Sequence, residues 1–154
     1  MRSGILKMRY FEDFGVGEVI EIGSKKVTQT EIVTFAEAFD PQPFHTSEAK
    51  AKDSIFGGLI ASGWHTCAIF MRLYVDNFLT KTISLGSPGV DNIRWLKPVF
   101  PNDTISGRIT ILETKPSPNR PKVGIIKIKS EMLNQSGEVV MRLEGTGLFG
   151  KKPR

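Results

Sequence analysis

Residues 64–75 constrain the fold more than any other stretch, because Trp64, Cys67, Ala68, Ile69, Phe70, Met71, Leu73, Tyr74 and Val75 crowd into one helix-length segment. Wound at 3.6 residues per turn, these side chains leave the helix apolar on nearly every side. Such a helix is stable in water only if it is buried around most of its circumference. Something has to wrap it. The segment also holds His65 and Arg72 and is too short to span a bilayer, so a membrane is not the wrapping.

The C-terminal half of the chain supplies the wrapping. Residues 104–114, 123–133 and 139–149 are long runs with period-two character, and 90–96 forms a further run before the Lys97-Pro98 break. In the last long run Val139, Met141 and Leu143 point one way, while Arg142, Glu144 and Thr146 point the other. Asn134-Gln135-Ser136-Gly137 reads as a hairpin turn, and residues 116–121 as a looser connection. A central apolar helix followed by antiparallel strands long enough to curl around it is an α+β arrangement. One sheet covers only one side of such a helix. Pairing of sheet edges between two copies, giving a homodimer, is therefore expected.

Upstream, residues 17–27 are strand-like, with Val19 and Ile22 apolar and an interruption at Gly23-Ser24. Thr28-Gln29-Thr30-Glu31 reads as a capping box opening a helix with Ile32, Phe35, Ala36 and Phe39 on one apolar stripe. Pro41 disfavours helical geometry at Asp40, so that helix ends there. Pro41 and Pro43 predict an extended segment as far as His45. The apolar helix then begins near Ala61-Ser62-Gly63.

The chain has 154 residues and no internal linker, which fits a single domain over 1–154 with a basic tail from about 150. Lys151, Lys152 and Arg154 supply three of its five net positive charges, and the remaining +2 argues against a nucleic-acid partner. Cys67 is the single cysteine, which excludes an internal disulfide framework and a multi-cysteine zinc site; it reads as a small buried hydrophobe. The first seven residues contain no apolar signal region, so a cytoplasmic location is expected. Lys115, Arg120, Lys122, Lys127 and Lys129 form a cluster without acids, suited either to an anionic ligand or to a solvated face.

The chemistry-bearing stretch is Phe39-Asp40-Pro41-Gln42-Pro43-Phe44-His45. The two prolines let a carboxylate and an imidazole five residues apart converge on one pocket. Acid–base catalysis needs such a pair: imidazole titrates near neutrality, and a carboxylate orients it or a water. Downstream, the first-turn amides of the apolar helix, including that of Gly63, lack intrahelical partners and can hold a developing oxyanion. Close packing is an equally good reason for Gly63, and N-capping for Ser62. His65, inside the helix, reads as a packed or hydrogen-bonded histidine.

Asp40-Pro41-Gln42-Pro43-Phe44-His45 resembles the motif D-x-N-P-[LIV]-H of the MaoC-like, (R)-specific enoyl-CoA hydratase family. Arg94-Trp95-Leu96-Lys97-Pro98-Val99 is similar to that family's R-[WF]-x-x-P-V run, and the likeness extends over residues 11–149. It implies a hotdog fold, usually dimeric, acting on acyl thioesters of CoA or acyl-carrier protein without a metal or redox cofactor. Carried over, Asp40 and His45 hold and activate water and exchange the α-proton. The Gly63 amide polarises the thioester carbonyl, with Ser62 and Gln42 beside it. Arg120 and Lys122 are candidates for the CoA phosphates. Gln42 replaces the usual Asn and Phe44 a smaller aliphatic, departures that bear on the acyl pocket. Two other readings compete: a non-catalytic module that binds acyl thioesters or serves as a partner subunit, and a thioesterase. The latter usually places a carboxylate in or near the central helix, and residues 54–75 contain none.

Overall fold

The computed structural model describes residues 7–154; the expectation about a leader segment falls almost wholly outside them. Five antiparallel strands, β1 (Val19–Lys26), β2 (Gly89–Trp95), β3 (Thr104–Pro116), β4 (Val123–Leu133) and β5 (Val139–Gly150), form one sheet in the order β1-β3-β4-β5-β2. Among the described residues four α-helices precede β2: α1 (Gln29–Phe39), α2 (Pro43–Thr46), α3 (Glu48–Lys52) and α4 (Gly63–Asn77). The sheet curls around α4, which is the hotdog arrangement. No helix is long and apolar enough to cross a membrane among the described residues.

Alternation sets the inner face of the sheet. Ile105, Ile109 and Ile111 of β3, Ile126, Ile128 and Met132 of β4, and Met141, Leu143 and Phe149 of β5 are buried and join Ile69, Phe70 and Leu73 of α4 in one core. Each such side chain removed from water contributes roughly 1.5–3 kcal/mol. The far end of α4 is tied to β1 by Asn77, whose Nδ2 donates to Ile22 O at 2.7 Å. The hairpin turn lies where expected, with Asn134 N–H donating to Glu138 O and Gly137 at φ 76°.

The chain's own sheet buries only one side of α4. Thr66, Ile69, Phe70 and Leu73 are covered, whereas Trp64 is 57% and Met71 47% exposed. The edge strand β2 is open beside them, with Val90 and Trp95 about half exposed.

Three sequence expectations need correction. The segment after Asp40 is not extended up to His45: Pro43 starts the one-turn helix α2 at its first position, where the missing N–H costs nothing. The capping box at α1 is only half made, since Thr28 accepts from Glu31 N but the Glu31 carboxylate pairs with Lys25 at 3.0 Å instead of reaching back. Phe39 leaves the apolar stripe and is 76% exposed.

Candidate active site

Asp40 is the C-cap of α1, its N–H bonded to Ala36 O. The two prolines and the α2 turn then reverse the chain so that His45 faces back towards it. His45 Nε2 lies 3.3 Å from Asp40 Oδ2, and His45 is 5% exposed. The other ring nitrogen, Nδ1, lies 2.7 Å from Ile60 O. A carbonyl oxygen only accepts, so Nδ1 carries the hydrogen. With that hydrogen on Nδ1, the neutral ring leaves Nε2 bare, the form a general base requires, while protonation puts an N–H on Nε2 towards Asp40 Oδ2.

The carboxylate is held from both sides. Ser62 Oγ donates to Oδ2 and Gln42 Nε2 to Oδ1, each at 2.7 Å. Ser62 is fully buried and also N-caps α4 by accepting from Trp64 N at 3.3 Å. Burial pushes the Asp40 carboxyl up, but the bonds from Ser62 and Gln42, with the His45 charge, outweigh it and hold it below its ordinary value. A carboxylate at the C-terminus of α1 is disfavoured by that helix's dipole. This one turns instead to the N-terminus of α4, whose positive end favours it.

Gly63 opens α4, and its N–H meets no acceptor among the described residues. A Cβ there would stand 2.4 Å from Trp95 Cε2, and Trp95 Nε1 donates to Gly63 O at 2.9 Å. Close packing thus accounts for the glycine, while its amide is left available. Both readings of Gly63 stand in the same geometry. A cavity of about 360 Å³ opens beside it, reached by His45, Gly63 and Thr66 and walled by Phe44, Phe56 and Trp95.

The structure brings Asp40, His45, Gln42, Ser62 and the Gly63 amide together. Ser62 and Gln42 stand on the Asp40 carboxylate rather than at an oxyanion position. Arg120 and Lys122 lie elsewhere, in the exposed β3–β4 connection. Nine residues of β4 separate Val123 there from Met132 at the level of Trp95, about 30 Å. Of the same cluster, Lys127 pairs with Glu144 on the neighbouring strand β5, and Lys129 with Glu131 two residues further along β4. His65 stacks on Phe35 at 4.8 Å, and burial lowers its pKa, as befits a packed histidine. Cys67 is half-buried, its thiol pushed up by burial. Sequence reasoning missed Ile60, whose carbonyl fixes the tautomer, and Trp95 as the lid on Gly63. Neither carries a local signal, because each acts through a backbone group distant in sequence.

A second cavity, about 270 Å³ and lined by Phe70, Tyr74, Leu143 and Phe149, lies under the other half of α4. Its lining residues include no acid–base pair. No cluster of three metal-ligating side chains occurs among the described residues.

A hotdog domain with a paired carboxylate and imidazole at the N-terminus of its central helix defines a class of protein. This chain belongs to the MaoC-like domain family, whose model matches residues 13–131. It is similar to the MaoC-like dehydratase of Rhodospirillum rubrum, whose crystal structure superposes with a TM-score of 0.87 at 39% identity, covering 95% of this chain and 99% of that one. It is 32% identical over 124 residues to the uncharacterized protein YdeM of Bacillus subtilis, covering 80% of this chain and 86% of that protein. It is also 29% identical over 140 residues to mesaconyl-CoA hydratase of Cereibacter sphaeroides, covering 86% of this chain but only 38% of that longer protein.

Proposed function

We propose that this chain is a hydro-lyase that adds water across, or removes it from, the α,β double bond of an acyl thioester of CoA or acyl-carrier protein. The observation that carries this reading is the 3.3 Å approach of His45 Nε2 to Asp40 Oδ2, with the opposite ring nitrogen held by Ile60 O. Asp40 accepts a hydrogen bond from the bound water and orients it. In the hydration direction His45 Nε2 takes one water proton as the water oxygen bonds to Cβ. The Gly63 N–H receives the enolate-like oxygen that develops on the thioester carbonyl. The imidazolium then returns its proton to Cα, so the elements of one water are added and the imidazole ends neutral. Asp40, ionised throughout, stabilises the imidazolium between the two transfers. No metal or redox cofactor is required by these steps.

The working form is proposed to be a cytoplasmic homodimer joined through the β2 edge, with the exposed side of α4 covered by the partner. A two-fold axis pairs β2 with its copy antiparallel. That operation puts the Arg120–Lys122 end of one chain at the same end of the joined sheet as the Gly63 amide of the other. Contact with CoA phosphates is accordingly proposed to be made across the dimer. The direct experiment is a panel of trans-2-enoyl-CoA substrates followed by the absorbance of the conjugated thioester. Turnover of at least one supports the reading. Tight thioester binding without turnover of any would replace it by a non-catalytic binding module.

A further inference from the structure

We infer that Phe44 sets the acyl-length limit of this site and that the thioester it accepts carries a short or compact acyl group; this rests on the function proposed above. Gly63 and His45, the two groups that would bracket the reacting carbons, both open into the 360 Å³ cavity. The rest of its wall is mostly apolar, formed by Phe44, Phe56, Ile60, Trp95, Pro98 and Val99 among others; its polar side chains are His45, Thr66, the Trp95 indole and Lys97, and the Lys97 ammonium is paired with the Glu138 carboxylate. The Trp95 N–H is already given to Gly63 O. A pantetheine arm brings two amides, and buried amides without partners are costly. A hydrocarbon tail brings none. The cavity therefore suits the acyl group and leaves the pantetheine to the polar surface.

The cavity is at the small end of the range for small-molecule sites, about 300–1,000 Å³. Phe44 is the reason its wall stands close. The ring precedes His45 on the α2 turn, meets the imidazole edge-on at 4.5 Å and packs against Phe56 at 5.4 Å. Half-buried and fixed from both sides, it cannot swing aside for a longer chain without disturbing His45. A smaller residue at this position would lengthen the space beyond the reacting carbons.

The test is calorimetric binding of two saturated thioesters, butyryl-CoA and decanoyl-CoA, to the full-length protein and to Phe44→Leu and Phe44→Ala. Saturated ligands keep the readout independent of turnover, and thermal melts with the two ligands on Phe44→Leu guard against loss of fold in the larger truncation. The parent is expected to favour butyryl-CoA about 10-fold or more, the discrimination that a few misfitted methylenes produce. Both variants should narrow or invert that ratio. An unchanged ratio in both variants, or a parent that binds the two thioesters equally, overturns the role of Phe44 while leaving the hydratase reading in place. A parent that binds neither overturns the thioester site itself, and this inference with it.

Discussion

Asp40 Oδ2 lies 2.7 Å from Ser62 Oγ, so the Asp40 carboxylate and the N-cap of the central helix are joined by one hydrogen bond. The same hydroxyl accepts from Trp64 N, which places the start of α4 and the carboxylate in a fixed relation. Removing the hydroxyl should therefore have two effects with different pH behaviour. Loss of the cap costs about 1 kcal/mol at any pH. Loss of the bond to Asp40 raises a pKa that the folded state holds low. A depressed carboxylate contributes stability above its unfolded pKa, and that contribution disappears as pH falls through the folded value. The deficit of Ser62→Ala relative to the parent should thus be largest near neutrality and shrink in acid. Denaturant melts from pH 7 downward measure this, and a deficit constant with pH would leave Ser62 as a cap alone.

Gly63 and Trp95 should be strongly coupled. Gly63→Ala drives a methyl to 2.4 Å from the indole, an overpacking expected to cost about 1–3 kcal/mol. In a Trp95→Ala background the same substitution should cost much less, since the obstructing ring is gone. A double-mutant cycle by chemical denaturation reads the coupling. Equal costs in both backgrounds would contradict the packing described for Gly63.

The architecture was legible in the sequence because period-two alternation and an all-round apolar helix are strong, long signals. Both survive in the structure: β3 and β4 alternate almost perfectly, and α4 starts at Gly63. Asp40 and His45 were legible because the prolines punctuate a short segment. The geometry of that segment was not. Pro43 can end an extended stretch or begin a helix, and tertiary contacts decide between them. Phe39 shows the same limit, since a helical stripe marks which residues share a face but not how far along it the core extends.

The half-exposed Trp64, Met71 and Val90 lead to a prediction about assembly. Light scattering at micromolar concentration should report about twice the chain mass of 17.1 kDa. Met71→Glu places a charge on the uncovered side of α4 and should shift the equilibrium towards monomer. A parent protein that is a stable monomer with little affinity for hydrophobic dyes would contradict the dimer.

Charge reversal at Arg120 and Lys122 together should raise KM for CoA thioesters, more at low ionic strength than at high, because exposed charges are screened by salt. The effect should vanish with a truncated pantetheine thioester, which lacks the nucleotide phosphates. An unchanged KM at low salt would return these residues to the solvated loop.

The proposed chemistry requires Asp40 and His45 to act on one water. The measurement is kcat for hydration of a short trans-2-enoyl-CoA by the parent, Asp40→Asn, His45→Ala and the double variant. Asp40→Asn preserves shape and turn propensity while removing the charge, so it is the most telling of the four. Each single variant should lose about 10²–10⁴-fold, with saturated-thioester binding and fold retained. The double variant should lose far less than the product of the two, because groups that act as a unit are non-additive. Near-full activity in Asp40→Asn, on a substrate the parent turns over well, would contradict the assignment.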